Sequence, residues 1–281
     1  MTTIDATRSV RLAEVAAEAA TAVGDMLRGA FRSRPEVDYK RDRHDPVTVH
    51  DKAAEARIRD VVLAAEPDSR IVGEEGGTVG EGHVEWHVDP IDGTANFAHG
   101  LPFFCTSIGA VIDGRVVAGA IYDPLRDDLY TATLSGAWHN GRLLASVGAD
   151  NAQQALLLTS YPSAREIRAA PDRAVRRQTD LIIEYQTLRR IGSAALSLAH
   201  VATGWADAAL GIGVNSWDVA AGSLLVTAAG GHYLGLRPNA VETDRAAWRE
   251  PGYFATVGTL DPAGSSVIEA FADTHRPVSL T

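Results

Sequence analysis

WHVDPIDGTANF, residues 86–97, sets two carboxylates three positions apart, with Pro90 between them and Gly93-Thr94 directly behind. Proline and glycine interrupt regular structure, so Asp89 and Asp92 are aimed by a bend rather than displayed on a helix face. Trp86, Val88 and Ile91 interleave with the acids. Burying those apolar side chains would hold the two carboxylates in fixed positions.

Outward from this stretch the pattern is one of short strands. RIVGEEGG (70–77) and VEWHVD (84–89) each read as a strand, the first running into a glycine turn. SIGAVID, GRVVAGAIYDP, DDLYTATL and GAWHNGRLL follow at close spacing, and Asp113-Gly114 is a strong hairpin signal. Upstream, Leu12, Val15, Ala19, Val23, Met26 and Ala30 step by three or four, which predicts one amphipathic helix ending near Arg32. A polar loop, DYKRDRHDPVT, precedes a second helix from about Asp51 to Ala65.

The second half alternates. Strands are predicted at 156–159, ADAALG, HYLGL and YFATVGT, with helices after Gly192, over 217–229 and over 261–272. The fold class is α/β (α+β), in layers. Two halves, 1–150 and 151–281, form one catalytic unit, the first carrying the DPIDGT loop and the second the Trp217-Asp218 pair.

The chain has 281 residues, 46% of them hydrophobic, and a formal net charge of −10. That is enough apolar content for a large core, and the acidity argues against a nucleic-acid or anionic-membrane binder. No run approaches 18 apolar residues, and the N-terminus lacks the apolar centre of a signal peptide. Cys105 is the single cysteine, which excludes an intrachain disulfide and fits a reducing cytoplasm.

Acids recur at predicted strand ends and helix starts: Asp45 and Asp51 in DPVTVHD, Glu74 in GEE, Asp89 and Asp92, and Asp218 in NSWDVAAG. Taken singly, each fits a turn or an N-cap. Asp218 could simply open the helix that follows it. Together they suggest more. Two unit charges about 4 Å apart repel by roughly 4 kcal/mol at an effective dielectric of about 20. Converging carboxylates therefore need cations, and oxygen donors without Cys or His suit Mg²⁺ or Mn²⁺ rather than zinc. Phosphate esters are the typical substrates of clustered Mg²⁺, and the metals would reconcile an acidic chain with an anionic ligand. A D-x-D-G-T aspartyl-nucleophile phosphatase spaces its two Asp by two, and here the spacing is three. Attack by metal-activated water fits better.

DPVTVHD (45–51), GEE (73–75), WHVDPIDGTANFAHG (86–100), RRIGSAALSLAHVATGWADAAL (189–210) and WDVAAGSLLV (217–226) resemble the inositol monophosphatase family of Mg²⁺-dependent phosphatases. The resemblance covers nearly the whole chain. It implies a layered αβαβα fold, a homodimer, a small phosphorylated polyol or sugar as substrate, lithium sensitivity and roughly two to three Mg²⁺ ions, with Mn²⁺ able to substitute. It also implies metal ligation by Glu74, Asp89, Asp92, Asp218 and the Ile91 carbonyl. Thr94 and Asp51 would orient the attacking water alongside Glu74. Substrate contacts would come from Asp92, Gly93, Thr94, Gly192, Ser193, Ala194, Asp218 and Lys40.

Two positions depart from the family pattern. Gly211 stands where many members carry an acid that contacts inositol hydroxyls, and residues 228–231 read AAGG rather than EAGG. The alcohol part of the substrate stays open. Inositol monophosphate leads, and histidinol phosphate, fructose 1,6-bisphosphate, NADP and adenosine 3′,5′-bisphosphate are the alternatives. A partner-binding regulatory protein on the same fold is the competing class.

Overall fold

A computed structural model describes residues 6–33, 37–39, 46–237 and 240–268. Lys40 and Asp45 lie outside the described residues, as does the part of the expected 261–272 helix beyond 268. Its described part is a 3₁₀ turn, Pro262–Gly264, followed by helical residues 266–268.

The chain opens with helices α1 (Ala6–Thr21) and α2 (Gly24–Ala30), strands β1 (Val37–Tyr39) and β2 (Pro46–Thr48), and helix α3 (Val49–Ala65). Strands β3 (Ser69–Gly73), β4 (Gly77–Val79) and β5 (Val84–Asp92) lead into the short helix α4 (Thr94–His99). Four more follow in a meander: β6 (Cys105–Ile112), β7 (Arg115–Asp123), β8 (Asp128–Thr133) and β9 (Gly136–His139), with β10 (Arg142–Leu143) at the edge. These make an eight-stranded sheet in the order β10-β9-β8-β7-β6-β5-β3-β4. The turn Asp113-Gly114 joins β6 to β7 with positive φ at both residues, the two-residue hairpin geometry expected of Asp-Gly.

The second half runs β11 (Leu156–Thr159), α5 (Ala164–Ala169), α6 (Pro171–Glu184), β12 (Thr187–Arg189), α7 (Ala194–Thr203), β13 (Ala208–Ile212), α8 (Ser216–Ala228), β14 (His232–Arg237), β15 (Ala240–Glu242) and β16 (Gly252–Thr256). Its sheet has six strands, β12-β11-β13-β16-β14-β15, of which β12, β11 and β13 are parallel. Helices α1 and α3 pack on one face of the first sheet through Leu12, Val15, Ile58 and Val62. Helices α7 and α8 fill the space between the two sheets, and a single apolar cluster joins Cys105, Val111 and Ile121 to Leu198, Val219, Leu210 and Phe254. The layers are therefore αβαβα.

Two expectations change. The first helix breaks at Ala22–Val23, although Val23, Leu27 and Ala30 stay buried, so the apolar period runs through a break it cannot reveal. Gly24 restarts the helix where a Cβ would stand 2.8 Å from the Tyr122 ring. Helices α5 and α6 occupy a stretch for which the sequence pattern predicts no element. In α6, Ala174 and Leu181 are buried while Val175, Ile182 and Ile183 are exposed, which blurs a helical stripe.

Helix α8 lies unusually close to the first sheet. A Cβ at Gly109 would be 2.8 Å from Ala220 Cβ and 3.0 Å from the Ala221 nitrogen, and one at Gly119 would be 2.9 Å from Ala221 Cα. The neighbour is helix backbone, which cannot swing aside. Gly109→Val is expected to cost about 1–3 kcal/mol by forcing the helix off the strands, measured by denaturant unfolding. An unchanged midpoint would show that the approach is not tight.

Candidate active site

The bend predicted at Pro90 is a β-bulge in β5. Asp89 pairs with Ser107 and Asp92 with Cys105, so three steps along β5 match two along β6. In a regular strand, residues three apart point to opposite faces. The extra residue resets that parity, so Asp89 and Asp92 project from the same face while Trp86, Val88 and Ile91 fill the core on the other. The spacing of three that excluded the D-x-D-G-T template is the spacing a bulge requires.

Three other elements bring acids to this face. Glu74 sits in the turn after β3, its N–H donating to the Val88 carbonyl at 3.1 Å. Buried Glu55 of α3 shapes that turn by accepting from the Glu75 and Gly76 N–H groups, both at 2.7 Å. Asp218 is the third residue of α8, and its Oδ2 accepts from the Asn215 N–H at 2.7 Å in a capping box. Asp51 holds the matching position in α3. Its Oδ2 accepts from the Thr48 N–H and hydroxyl at 2.8 and 2.6 Å, and its Oδ1 stands 3.1 Å from the Thr94 hydroxyl. Both residues cap their helices while facing the other acids, so the capping bond leaves room for the expected site role.

Asp92 is held from the other half of the chain. Its Oδ2 accepts from the Ser193 hydroxyl and the Ala195 N–H, both at 2.6 Å, and its Oδ1 from the Ala194 N–H at 3.3 Å. The first turn of α7 thus holds a carboxylate from the other sheet. Asn96 braces the junction, its amide donating to the Phe103 carbonyl at 2.7 Å and the Ile191 carbonyl at 2.6 Å. Glu55, Asn96 and Ala195 do not stand out in the sequence. Asn96 lies inside the quoted signature, whereas Glu55 gives only an acid on the apolar side of a helix. Gly93 has φ of 97°, and a Cβ there would meet the Phe103 oxygen at 3.0 Å and the Gly192 oxygen at 3.4 Å.

The carboxylates feel one another. Burial pushes the Asp89 carboxyl well above its usual range, and the charges of Glu74, Asp92 and Asp218 push the same way. Burial also raises Asp92, to about 6, against the pull of its bonds from Ser193, Ala195 and Ala194. Asp218 rises to about 8, through burial first and then the Asp92 charge. Asp89 hydrogen-bonds to both Glu74 and Asp218. Among the described residues, no three His, Cys, Asp or Glu side chains already close on one point as a ligand cage. Asp89 instead stands between Glu74 and Asp218, bonded to each. The donor set nonetheless fits a hard divalent cation: it is all oxygen, and what destabilises it is uncompensated negative charge.

A two-sheet layered α/β protein whose strand bulge, strand-end turn and helix start deliver Asp89, Asp92, Glu74 and Asp218 to one face, with the three aspartate carboxyls raised, has a sugar-phosphatase architecture. The sequence profile of the Inositol monophosphatase family matches residues 9–265, and the chain belongs to that family. It is 37% identical to inositol monophosphatase 2 of Solanum lycopersicum over 84% of this chain and 91% of the relative. It is 39% identical to Nus factor SuhB of Escherichia coli K12, covering 77% and 82%. Among solved structures, the extragenic suppressor protein suhB of Bartonella henselae superposes with a TM-score of 0.80 at 30% identity, covering 88% of this chain and 94% of that one. Among the described residues no helix is long and apolar enough to cross a membrane.

Proposed function

We propose that this chain is a Mg²⁺-dependent phosphomonoesterase for a small polyol or sugar phosphate, with inositol monophosphate as the leading substrate. The observation that carries this reading is the facing of Asp89, Asp92, Glu74 and Asp218, with each raised carboxyl pushed up by the charge of another. Those four side chains and the Ile91 carbonyl would hold the metal. Bound there, Mg²⁺ would neutralise phosphate oxygens and acidify a water. The Thr94 hydroxyl, 3.1 Å from Asp51 Oδ1 and 3.0 Å from the Ile91 oxygen, would orient that water beside Glu74. Burial raises the Asp51 carboxyl, which suits it to receive a proton relayed through Thr94. Gly93, with no room for a Cβ, lets a phosphate approach the backbone, and Gly192, Ser193 and Ala194 border the alcohol side.

Release of inorganic phosphate from inositol monophosphate, with and without Mg²⁺, tests the reading. No release from it or from histidinol phosphate, fructose 1,6-bisphosphate, NADP and adenosine 3′,5′-bisphosphate would overturn it in favour of a regulatory partner-binder. Thr94→Ala is expected to lower kcat by ~100-fold with little change in KM. A rise in KM at constant kcat would assign Thr94 to binding instead.

A homodimer in the cytoplasm belongs to the same proposal. Val175, Ile182 and Ile183 of α6 are 59%, 58% and 76% exposed, an apolar strip that a second copy would cover. Sedimentation should give a mass near twice 29.8 kDa, and a monomer at micromolar concentration would remove that part.

A further inference from the structure

Two side chains from the first turn of α8 reach β5. One is Asp218, which hydrogen-bonds to Asp89. The other is Ser216, whose hydroxyl lies 2.8 Å from His87 Nδ1. His87 and Asp89 are two positions apart where β5 and β6 keep register, so both project from the face that α8 covers. His87 pairs with Gly109, one of the two glycines over which the α8 backbone sits. A further bond closes the junction. The hydroxyl of Ser107, opposite Asp89 on β6, donates to the Trp217 carbonyl at 3.3 Å.

His87 is a costly side chain to bury, and it is only 6% exposed. Its Nε2 has no hydrogen-bond partner among the described residues. The ring meets Trp248 at 4.9 Å between centroids, with the planes 73° apart. Burial, with the charges of Arg249 and Arg70 adding to it, pushes the imidazole down to about 4, so the ring is neutral. An apolar side chain at 87 could fill this space without stranding a polar atom. Among the described residues, the polar contact that the imidazole gains in return is the one to Ser216.

That contact joins residues 129 positions apart and runs beside the acids at both ends. His87 lies two residues before Asp89, and Ser216 two before Asp218. The two links between β5 and α8 differ in kind. A hydrogen bond between Asp89 and Asp218 needs a proton, which a cation held between them would displace. The His87–Ser216 bond joins neutral groups and stays whatever lies between the acids.

We propose that His87 and Ser216 are positioning residues, whose hydrogen bond fixes the first turn of α8 against β5 and so keeps Asp89 and Asp218 spaced for a divalent cation. The inference rests on the reading of these two acids as metal ligands. Neither His87 nor Ser216 touches the ion. Groups that orient a metal's ligands from behind are worth roughly 10- to 100-fold in metal affinity.

The test uses the full chain with Mn²⁺ alone as the probe, its binding read by electron paramagnetic resonance. Melting in EDTA and phosphate release from inositol monophosphate are followed beside it. Ser216→Ala is expected to weaken Mn²⁺ binding by ~10-fold or more. Its Tm in EDTA should change little, because alanine is well tolerated at the first position of a helix. Ser216→Thr keeps the hydroxyl and should bind Mn²⁺ like the wild type. His87→Ala should show the same loss as Ser216→Ala, and the double variant no more than either, since one bond is removed only once. If His87→Ala does not fold, the two Ser216 variants decide the matter. A Mn²⁺ affinity within ~2-fold of wild type in Ser216→Ala, or losses that add in the double variant, overturns the positioning role. A wild type that binds Mn²⁺ yet releases no phosphate overturns the phosphatase reading alone, and the Mn²⁺ affinities still decide this one. A wild type that binds no Mn²⁺ overturns both.

Discussion

Asp218→Asn and Asp89→Asn are each expected to lower kcat/KM by more than ~100-fold, beyond the 10- to 100-fold typical of residues that only support a metal ligand. The fold should survive. Each change removes one negative charge from a group of acids whose carboxyls raise one another. Asn keeps the shape of Asp and can still accept from the Asn215 N–H at position 218, so the start of α8 loses little. In the absence of divalent cations, both variants should therefore melt at or above the wild-type temperature. Inactive protein with an unchanged or raised Tm is the signature of a functional charge cluster. Near-normal turnover in either variant would remove that residue from the ligand set, and a large fall in Tm in EDTA would make it structural.

The second large effect is a pH dependence that a cation should reverse. The Asp92 and Asp218 carboxyls stand at about 6 and about 8 in the fold, against 3.8 for a free aspartate. Between pH ~4 and ~8 the native state therefore holds protons that the unfolded chain has released, and stability falls as pH rises through that window. Melting in EDTA should show this decline from pH 5 to pH 8. If the acids hold Mg²⁺ as proposed, the ion would replace the protons as the compensating charge, and its benefit should be larger at pH 8 than at pH 5. At 100 times its Kd, an ion stabilises by about 2.7 kcal/mol, which for a chain of this size is roughly 5–10 °C in Tm. An equal Mg²⁺ shift at both pH values, or a Tm that rises with pH in EDTA, would show that the acids do not share a cation.

Much of this arrangement was legible in residues alone, for identifiable reasons. Pro90 and Gly93 announce a bend, and Asp113-Gly114 announces a hairpin, because those residue types restrict backbone conformation locally. The bulge was not legible. It exists only as a mismatch between β5 and β6, and the pairing partner of Asp92 is Cys105, thirteen residues away. The bonds from Ser193 and Ala195 to Asp92 span more than a hundred positions and have no local trace. Glu55 reads as an ordinary helix charge because its partners, the N–H groups of Glu75 and Gly76, carry no side-chain signal. Gly211 reads as a missing contact. Only the ladder to Tyr253 shows that its side-chain space is already taken.

The grip of α7 on Asp92 ties a strand of the first sheet to a helix seated on the second, and one continuous apolar cluster backs it. A clamshell motion of the two halves would tear those bonds and expose that cluster. In the phosphatase proposed above, reactants would therefore enter, and products leave, through a standing mouth. Differences in turnover between this protein and its relatives should then trace to the rim of that mouth rather than to any hinge beneath it.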